Sequence, residues 1–338
     1  MKNWLKILGG RLGWRVGTVA ALASVVSMMV GVRAVSAASC STTISSCGCV
    51  ISSADVFITS GALVSGSSSV DCIDINASGA VLIVAGNITG PGGGVTADGI
   101  HIMSGASNVF ISGTATPGNS GTRSIVAGFA TGIQVDGSNA EIDHLDAIGN
   151  VTNGVVFNNV TDCDYDIGSA NSNAGGDGIL INGGSGNIVS DATFHLNQNG
   201  VEISGSANNR IFDTQIMGVL AGNNGYGFWI AQSSGNHIKD SETDRNTGTG
   251  TYLGCSATGG PSGKKCGKPS KFNRIIASGG NSNGGAGVGV DLGDSANVLD
   301  LNGGSSNTGG DGVDKNKKCD HNIWMGSGFG TTSSSCIH

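Results

Sequence analysis

Proline, charge and helical periodicity are all scarce in this 338-residue sequence, which contains only 4 Pro and 12% charged residues. No helical pattern of useful length occurs after residue 37, which excludes a fold built on helices. Basic residues are few as well: 17 Lys and Arg stand against 24 Asp and Glu, and five of the 17 lie in the first 37 positions. The remainder has 12 basic and 24 acidic residues, a net charge of −12, which disfavours nucleic acids and anionic membranes as partners.

Glycine, in contrast, is abundant, with 60 residues, and it opens a repeated phrase of Gly, an apolar residue, any residue and a second apolar residue. The copies are Gly99–Ile102, Gly132–Val135, Gly154–Phe157, Gly178–Ile181, Gly200–Ile203 and Gly227–Ile230, with a looser copy from Gly287. The first six Gly lie 33, 22, 24, 22 and 27 positions apart. A period of about 20 to 30 residues indicates a solenoid in which each repeat forms one coil. The alternating apolar residues predict a short half-buried strand in each coil.

Each coil has a second repeated feature, an Asn nine residues after the Gly and, in three copies, an Asp four residues after that Asn. These residues are Asn108, Asn187, Asn209 and Asn236, and Asp191, Asp213 and Asp240. Because Asn tolerates left-handed backbone and its amide bonds along a stack of identical residues, the pattern predicts a ladder of turns. Together the repeats predict an all-β fold, a single-stranded right-handed parallel β-helix with N- and C-terminal caps. Trp324 and Phe329 are expected to close the C-terminal end.

Two segments at the ends of the repeats carry a family resemblance. The first is Asp71-Cys72-Ile73-Asp74-Ile75-Asn76-Ala77-Ser78-Gly79, which leads to Gly86–Gly92, and the second runs from Cys319 to Ile337. With the repeats, they resemble the right-handed parallel β-helix proteins of the pectate-lyase-like superfamily and the NosD-like secreted repeat proteins, over roughly residues 45 to 338. The resemblance implies the fold and a substrate groove along the strand that opens each coil. It implies no single reaction, because the superfamily contains lyases, hydrolases, epimerases and proteins without a known reaction.

The catalytic motifs of that superfamily have no full counterpart in this chain. Ile142-Asp143-His144 is similar to the pectate lyase segment whose Asp binds calcium, but Glu141 replaces the usual Trp and the Arg-rich motif is missing. Asp162–Asp166 is acid-dense and is interpreted either as a calcium site or as a solvated turn. Gly309–Asp314 matches one calcium-binding nonapeptide without the tandem copies that such sites need. No Met or His cluster suggests copper, so no cofactor is expected, with Ca²⁺ as the open alternative.

The first 37 residues are predicted to be a signal peptide rather than part of the fold. Their start is basic, Val16–Val32 is apolar, and Val35-Ser36-Ala37 offers small residues for cleavage. The alternatives are a membrane anchor and a lipid-anchored form cleaved before Cys40. Bacterial-type export is therefore expected, to a secreted, periplasmic or cell-surface location, with membrane contact only through the signal or such an anchor.

Nine Cys in an exported chain predict disulfides. Cys255 and Cys266 enclose part of an insertion predicted at 247–275 and are expected to pair, as are Cys319 and Cys336 around the terminal segment. Four further Cys can form two bonds in three ways, and Cys163 is left over. These four are Cys40, Cys47, Cys49 and Cys72. The predicted domains are an N-terminal cap with the first coils at 38–98 and the regular β-helix with its insertion and C-terminal cap at 99–338.

Stacking of the coils places residues of equal position above one another. The second residue after each Gly forms one outward column: His101, Gln134, Val156, Leu180, Glu202 and Trp229. The fourth residue after it forms the next: Met103, Asp136, Asn158, Asn182, Ser204 and Ala231. Glu202 and Trp229 fall on adjacent coils, about 5 Å apart, and an outward Trp beside a carboxylate suits a sugar. Alternatively, Trp229 only packs beneath the insertion.

Another outward column is predicted after the Asn turn, with Arg210 and His237 on consecutive coils. Cations there suit the carboxylate of a uronate during β-elimination, and His could share the proton transfer. The neighbouring Asp213 and Asp240 favour ordinary surface ion pairs instead. The carbohydrate-binding candidates are thus Glu202, Trp229, Gln134, Asp136, Arg210 and His237.

Two functions are consistent with these features. The first is a secreted β-helix repeat protein that contacts extracellular or cell-wall polysaccharide along an outward strand face. Whether it is an enzyme stays open, and a polysaccharide lyase or glycoside hydrolase is the kind of enzyme considered. The alternative is a non-catalytic structural or surface-interaction solenoid.

Overall fold

The computed structural model describes residues 37–113, 123–173, 175–217, 225–255 and 265–337. Parallel strands account for nearly all regular structure in these ranges, and the one helix there is a 3-10 turn at Lys317–Cys319. None of the helical structure in these ranges is long and apolar enough to cross a membrane. The predicted signal peptide, apart from residue 37, lies outside the described residues, as do residues 256–264 of the predicted insertion.

Two twelve-stranded sheets run the length of the molecule. Sheet 1 consists of Ala38–Ser39, Cys49–Ile51, Ile73–Ile75, Ile100–Ile102, Thr131–Val135, Asn153–Asn158, Asp177–Asn182, Asn199–Ser204, Phe228–Ala231, Thr251–Leu253, Val288–Val290 and Gly312–Asp314. Sheet 2 consists of Thr43–Ile44, Val56–Thr59, Val81–Val84, Phe110–Gly113, Glu141–Asp143, Asp164–Asp166, Ile188–Ser190, Arg210–Phe212, His237–Lys239, Arg274–Ile276, Val298–Asp300 and Ile323–Met325. Successive coils contribute neighbouring strands to each sheet, so the predicted parallel β-helix is confirmed.

Shorter sheets close the third side of the coils. One contains Leu63–Val64, Ile88–Thr89, Ser124–Ala127 and Leu145–Ala147. The others contain Thr193–Phe194, Gln215–Met217 and Glu242–Asp244, and Gly303–Gly304 and Gly328–Phe329. The core therefore lies between three walls, and the residues that alternate outward on these strands are available to a ligand.

The apolar residues of the repeated phrase build that core. One register position of sheet 1 holds Ile100, Ile133, Ile179, Val201 and Phe228. All five have 0% exposure, which confirms the interior column expected from the sequence. Each such side chain stabilises the fold by about 1.5–3 kcal/mol relative to an exposed position.

The Gly that opens each phrase is required by the closeness of the next coil. A Cβ on Gly154 would lie 2.6 Å from the carbonyl oxygen of Gly178, and a Cβ on Gly178 would lie 2.6 Å from that of Gly200. The Phe194 ring on the third side would be only 2.8 Å from the same Cβ of Gly178. A side chain does not fit at this position, and the phrase therefore begins with Gly.

Left-handed backbone and the amide ladder occupy adjacent positions between sheets 1 and 2. The left-handed column is Asn108, Asn139, Asp162, Gly186, Asn208, Gly235, Phe272, Ala296 and His321. The next residue of each coil points inward. From the seventh coil onward this residue is an Asn, and these residues form the ladder: Asn187, Asn209, Asn236, Asn273, Asn297 and Asn322. Each side-chain oxygen from Asn209 onward accepts hydrogen bonds from the backbone N–H and the side-chain amide of the preceding ladder Asn. The predicted ladder exists, but left-handed backbone and amide bonding are divided between two residues.

The prediction that Asn108 belongs to this ladder is wrong. Phe110 lies ten positions after Ile100, whereas Ile188 lies nine positions after Ile179 at the same register positions. The extra residue moves Asn108 to the left-handed position, with φ of 53°. A second ladder, at the corner between the third side and sheet 1, was not anticipated. It contains Asn150, Asn173 and Asn197, and Asn246, Asn283 and Asn307.

Four disulfides stabilise the two ends and the insertion. They are Cys40–Cys49, Cys47–Cys72, Cys255–Cys266 and Cys319–Cys336, which include both pairs expected from the sequence. Cys163 is a free, buried thiol. Four disulfides are typical of an oxidising, extracytoplasmic compartment. Trp324 is buried at the C-terminal end, with its ring 5.7 Å from that of Phe329.

The insertion predicted at 247–275 is shorter than expected. Thr251–Leu253 pairs with both of its neighbours in sheet 1, and Arg274–Ile276 does the same in sheet 2. Both segments are therefore part of a coil. They lack the Gly-apolar phrase, and the sequence pattern did not reveal them.

Candidate functional site

The outer face of sheet 1 presents a strip of three columns. The middle column has the predicted register and extends to Asp74, His101, Gln134, Val156, Leu180, Glu202, Trp229 and Tyr252. One flanking column, before the Gly of each coil, contains Asp71, Asp98, Thr131, Asn153, Asp177, Asn199 and Tyr226. The other contains Asp136, Asn158, Asn182, Ser204 and Ala231. Two acidic clusters lie on this strip, four coils or about 19 Å apart at the usual strand spacing.

The first, the His101 cluster, consists of Asp71, Asp74, Asp98, His101 and Asp136. The imidazole Nε2 lies 3.0 Å from Asp136 Oδ2. Its Nδ1 lies 3.4 Å from Asp71 Oδ2 and 3.7 Å from Asp74 Oδ1. The His101 side chain is 21% exposed, so solvent and a ligand can reach a ring that touches three carboxyl groups.

Neighbouring coils hold two of these carboxylates in place. The side-chain amides of Gln134 and Asn158 each donate to Asp136 Oδ1 at 2.9 Å. The backbone N–H of Asp98 donates to Asp71 Oδ1 at 2.6 Å. Fixed donors of this kind orient a carboxylate toward the ring and favour its ionised form.

The cluster separates its groups by protonation state. Hydrogen bonds to Asp71 and Asp136 raise the pKa of His101 to about 9, against the opposing effect of burial, so the ring is a cation at neutral pH. Burial opposes ionisation of Asp71 and Asp136, but hydrogen bonds to each carboxylate outweigh it and lower both pKa values. Burial and the charge of Asp71 raise the pKa of Asp74 and of Asp98 to about 6. One site thus combines carboxylates that stay ionised with carboxyls that can donate a proton near neutral pH.

Asp71, Asp98 and His101 could also hold a metal ion. Each offers one ligand atom, and the three atoms lie within 4.8 Å of one another. Two carboxylates and an imidazole suit a divalent transition metal better than Ca²⁺, which takes oxygen ligands. The trio was not among the calcium segments considered from the sequence.

The second cluster, the Trp229 cluster, consists of Asp177, Asn199, Glu202, Tyr226 and Trp229. Glu202 and Trp229 are register partners on adjacent coils, as expected. Asn199 donates its side-chain amide to Asp177 at 2.8 Å and accepts the backbone N–H of Tyr226 at 3.1 Å. The Tyr226 ring lies 5.4 Å from the indole. Asn199, Tyr226 and Trp229 line a hollow of about 250 Å³.

The indole of Trp229 is held at its nitrogen, whereas its face borders the hollow. Its Nε1 donates to the carbonyl oxygen of Gly254 at 2.8 Å, beside Cys255 and the disulfide that closes the insertion. The ring face lines the hollow. Trp229 therefore packs against the base of the insertion and also presents a surface on which a sugar could stack.

Glu202 of this cluster is an acid rather than a carboxylate at neutral pH. Burial, with the neighbouring charge of Asp177, raises the pKa of Glu202 to about 8. Burial also raises the pKa of Asp177 to about 6, although Asn199 and Glu202 donate hydrogen bonds to it. A protonated Glu202 beside an indole can donate to a hydroxyl oxygen as well as accept from one.

Residues 131–303, half of the chain, match the family model described as "Right handed beta helix region". The chain belongs to this right-handed β-helix family. No curated protein matches the sequence of this β-helix.

Solved structures with a similar fold include two tailspike proteins and a pectate lyase. The Dettilon tailspike protein is 15% identical, with a TM-score of 0.53 over 84% of this chain and 60% of its own. Tailspike protein 2 of bacteriophage CBA120, in its enzymatically active domain, is 15% identical, with a TM-score of 0.50 over 76% of this chain and 40% of its own. Pectate lyase Pel9A is 13% identical, with a TM-score of 0.49 over 81% of this chain and 70% of its own. This β-helix spans 60% or less of the two tailspikes, and such identities show the fold alone.

The six carbohydrate candidates do not form one site in this β-helix. Gln134 and Asp136 belong to the His101 cluster, and Glu202 and Trp229 belong to the other cluster on the same strip. Arg210 and His237 are register partners on sheet 2, where they line a separate hollow of about 130 Å³. Lys239 beside them pairs with Asp240, but among the described residues neither Arg210 nor His237 forms the ion pair that the surface-pair alternative expected.

Sequence reasoning missed four residues of the His101 cluster as site residues: Asp71, Asp74, Asp98 and His101. Asp74 is the register partner of His101, but its coil opens with Cys72, and the Gly phrase did not extend to it. Asp71 and Asp98 stand directly before the first core positions of their coils. A signal was available in two neighbouring coils that both have Asp at that position.

The calcium segments have other partners in the structure. Asp164 and Asp166 face outward from sheet 2, whereas Tyr165 between them is buried. Asp311 and Asp314 accept hydrogen bonds from residues of the C-terminal cap, including Asn307 for Asp311 and Trp324 for Asp314. Within the described ranges, the groups of ligand atoms close enough to share an ion include none of these residues.

Proposed function

We propose that the protein binds a polysaccharide along the outer face of sheet 1 and cleaves a glycosidic bond at the His101 cluster. One observation carries the proposal: an acid–base cluster and an aromatic–acid cluster share one strip, about 19 Å apart. That distance corresponds to several sugar units of an extended chain. The fold is shared with a tailspike domain described as enzymatically active, and export through the predicted signal peptide would place the protein where such polymers occur.

Hydrolysis of a glycosidic bond needs a proton donor for the leaving oxygen and a carboxylate that acts as base or nucleophile. Asp98, whose pKa is raised to about 6 by burial and by Asp71, is the candidate acid. Asp71 is the candidate carboxylate. Hydrogen bonds from His101 and from the Asp98 backbone keep it ionised, although it is partly buried. The His101 cation favours the ionised forms of Asp71 and Asp136 before the reaction begins.

The Trp229 cluster would supply binding rather than chemistry. The indole face suits the C–H face of a sugar, and the protonated Glu202 suits a hydroxyl oxygen. Because Gly254 fixes the indole nitrogen, the ring is preorganised and little side-chain entropy would be lost on binding.

The experiment incubates the protein with a panel of neutral, uronic and acidic polysaccharides. Binding isotherms, release of reducing ends and ultraviolet absorbance of unsaturated uronates are followed together. Asp98→Asn should abolish cleavage and keep binding. Trp229→Ala should weaken binding by about 1–3 kcal/mol, or roughly 5- to 150-fold, with little change in melting temperature.

Phe272→Asn is the matched control, since it removes a 66% exposed ring at a left-handed turn away from sheet 1. It should leave binding unchanged. If Trp229→Ala lowers the melting temperature strongly and leaves affinity intact, the ring is only packing beneath the insertion. If no polysaccharide binds at all, the non-catalytic structural solenoid is the better description.

A further inference from the structure

The outer face of sheet 2 is divided into four blocks along the solenoid axis. An apolar block at the N-terminal end contains Val56, Ile58, Val81, Ile83 and Phe110. An acidic block follows with Glu141, Asp143, Asp164 and Asp166. After the neutral strand Ile188–Ser190 comes a basic block with Arg210, His237, Lys239 and Arg274. The C-terminal end is mainly apolar again, with Val298, Ile323 and Met325 beside the single acid Asp300.

The two end blocks expose apolar side chains that a soluble surface normally buries. Val56 is 61% exposed and Ile58 is 42% exposed at one end. Ile323 is 50% exposed and Met325 is 44% exposed at the other. Contiguous exposed apolar side chains at both ends of one flat sheet indicate a contact surface.

The charges of the central blocks are not balanced within one chain. Burial, with repulsion by Asp166 and Glu141, raises the pKa of Asp164 to about 6. Burial and repulsion by Arg274 and Arg210 lower the pKa of His237.

Two polar atoms show the same imbalance. Asp164 Oδ1 and His237 Nε2 are buried without a hydrogen-bond partner. In the part of the chain that the structure describes, no carboxylate lies within ion-pair distance of Arg210 or Arg274. Asp143 and Lys239 have partners of the opposite sign within the chain, His144 and Asp240. Arg210 and Arg274 have none among the described residues, and each block contains an unsatisfied polar atom.

The order of the blocks is complementary to its own reverse. A two-fold axis that lies in the face, parallel to the strands and through Ile188–Ser190, reverses the solenoid direction and keeps each outward column opposite itself. One strand from the axis, it brings Asp164 of one copy opposite Arg210 of the other. Two strands away, Asp143 meets Lys239. Glu141 meets His237 at the same level.

The same operation matches the ends. Five strands from the axis, Val56 and Ile58 of one copy lie opposite Ile323 and Met325 of the other, so apolar meets apolar. A parallel arrangement would instead place each block opposite its own copy, acid on acid and base on base, which is unfavourable. Three and four strands from the axis the match is poorer, since Phe110 meets Arg274 and Ile83 meets Asp300. The sequence order nevertheless favours the antiparallel arrangement over the parallel one.

We propose that a second copy of this chain packs antiparallel on the outer face of sheet 2, in a symmetric dimer centred on Ile188–Ser190. Such an interface is isologous, with the same patch used by both copies. Eleven strands give a face about 50 Å long and about 10 Å wide, or about 1,000 Å² buried in total, the lower limit for a specific contact. A weak, salt-sensitive dimer is expected, and both polysaccharide strips on sheet 1 remain free.

The test uses the full-length protein and two charge-reversed variants in sedimentation equilibrium at low salt. One variant carries Arg210→Glu with Lys239→Glu, which makes both charged blocks acidic. The other carries Asp143→Lys with Asp164→Arg, which makes both blocks basic. Wild type should dimerise, and each variant alone should have a dissociation constant at least about tenfold higher. An equimolar mixture of the two should form a heterodimer, because every reversed pair then meets its complement.

Melting curves of each variant confirm that the fold is intact. A control with Lys265→Glu, an exposed Lys outside this face, should dimerise like wild type. The proposal is overturned if wild type stays at its monomer mass of 33.4 kDa at all concentrations, or if both variants dimerise like wild type. It is also overturned if the mixture fails to associate although each variant is folded, since the antiparallel pairing requires rescue.

Discussion

The His101 cation gives the fold a pH-dependent contribution that can be measured directly. Its pKa is raised from the ordinary 6.5 to about 9 by the hydrogen bonds to Asp71 and Asp136. A raised pKa in the folded state means that the contribution is fully present below about pH 6.5 and is lost as pH rises through about 9. The shift corresponds to about 3 kcal/mol as an upper limit, because the ring is 21% exposed and solvent screens its ion pairs.

The perturbation is His101→Gln, which keeps a polar side chain but removes the titratable charge. Free energies of unfolding from denaturant titration are compared at pH 6, 7.5, 9 and about 10. The free energy of unfolding of wild type should exceed that of the variant most at pH 6. This difference should decline to a small value by about pH 10. Groups outside the His101 cluster titrate in both proteins, and their effects cancel in this difference. Asp74 and Asp98 are coupled to His101 and have pKa values of about 6, so the test depends on the decline between pH 7.5 and about 10.

His195→Gln is the matched control. Burial lowers the pKa of His195, so its replacement should give a difference that does not decline as pH rises through about 9. A constant difference between wild type and His101→Gln across the range would refute the reasoning, because it would show that His101 carries no charge in the folded state at neutral pH.

Two further predictions concern the fold itself, and both are checked by denaturant unfolding. Asn236→Ala should destabilise the protein by about 3–5 kcal/mol, because the buried backbone N–H and side-chain amide of Asn209 lose their common acceptor. Asn208→Ala, at the neighbouring left-handed turn, should destabilise it far less. Equal losses of stability in the two variants would contradict the ladder. Gly178→Ala should lower the free energy of unfolding by about 3 kcal/mol, since its Cβ would lie 2.6 Å from the Gly200 oxygen. Gly93→Ala should leave stability unchanged, because no atom lies within 4 Å of the added Cβ. Unchanged stability in both variants would argue against close stacking of the coils.

The fold could be predicted because its determinants are local and repeat. Alternating apolar residues after a Gly fix which side of a strand faces inward, and stacking then aligns Ile100 with Ile133 and the later coils. Asn108 was misplaced because coil length varies by one residue. A ladder position is decided by pairing with the neighbouring coil and not by distance from the Gly.

Only part of the candidate site could be predicted, because positions were counted from a Gly that not every coil contains. Gln134, Asp136 and Glu202 were found because they stand at fixed distances from a Gly. Asp74 occupies the same column but follows Cys72, and its coil lacks the phrase that defined the register. Protonation states are not visible in the pattern at all, because they depend on burial and on carboxyls from other coils.

The composition of the inner corner changes along the axis, and this has a thermal consequence. The position held by Asn from residue 187 onward is Val109, Ala140 and Cys163 in the preceding coils, all buried. The N-terminal part therefore depends more on apolar burial, which weakens on cooling and carries a large heat-capacity change. The C-terminal part depends more on hydrogen bonds, whose contribution is enthalpic. Because coils contact only their neighbours, we expect the N-terminal coils to lose more of their stability on cooling than the C-terminal coils.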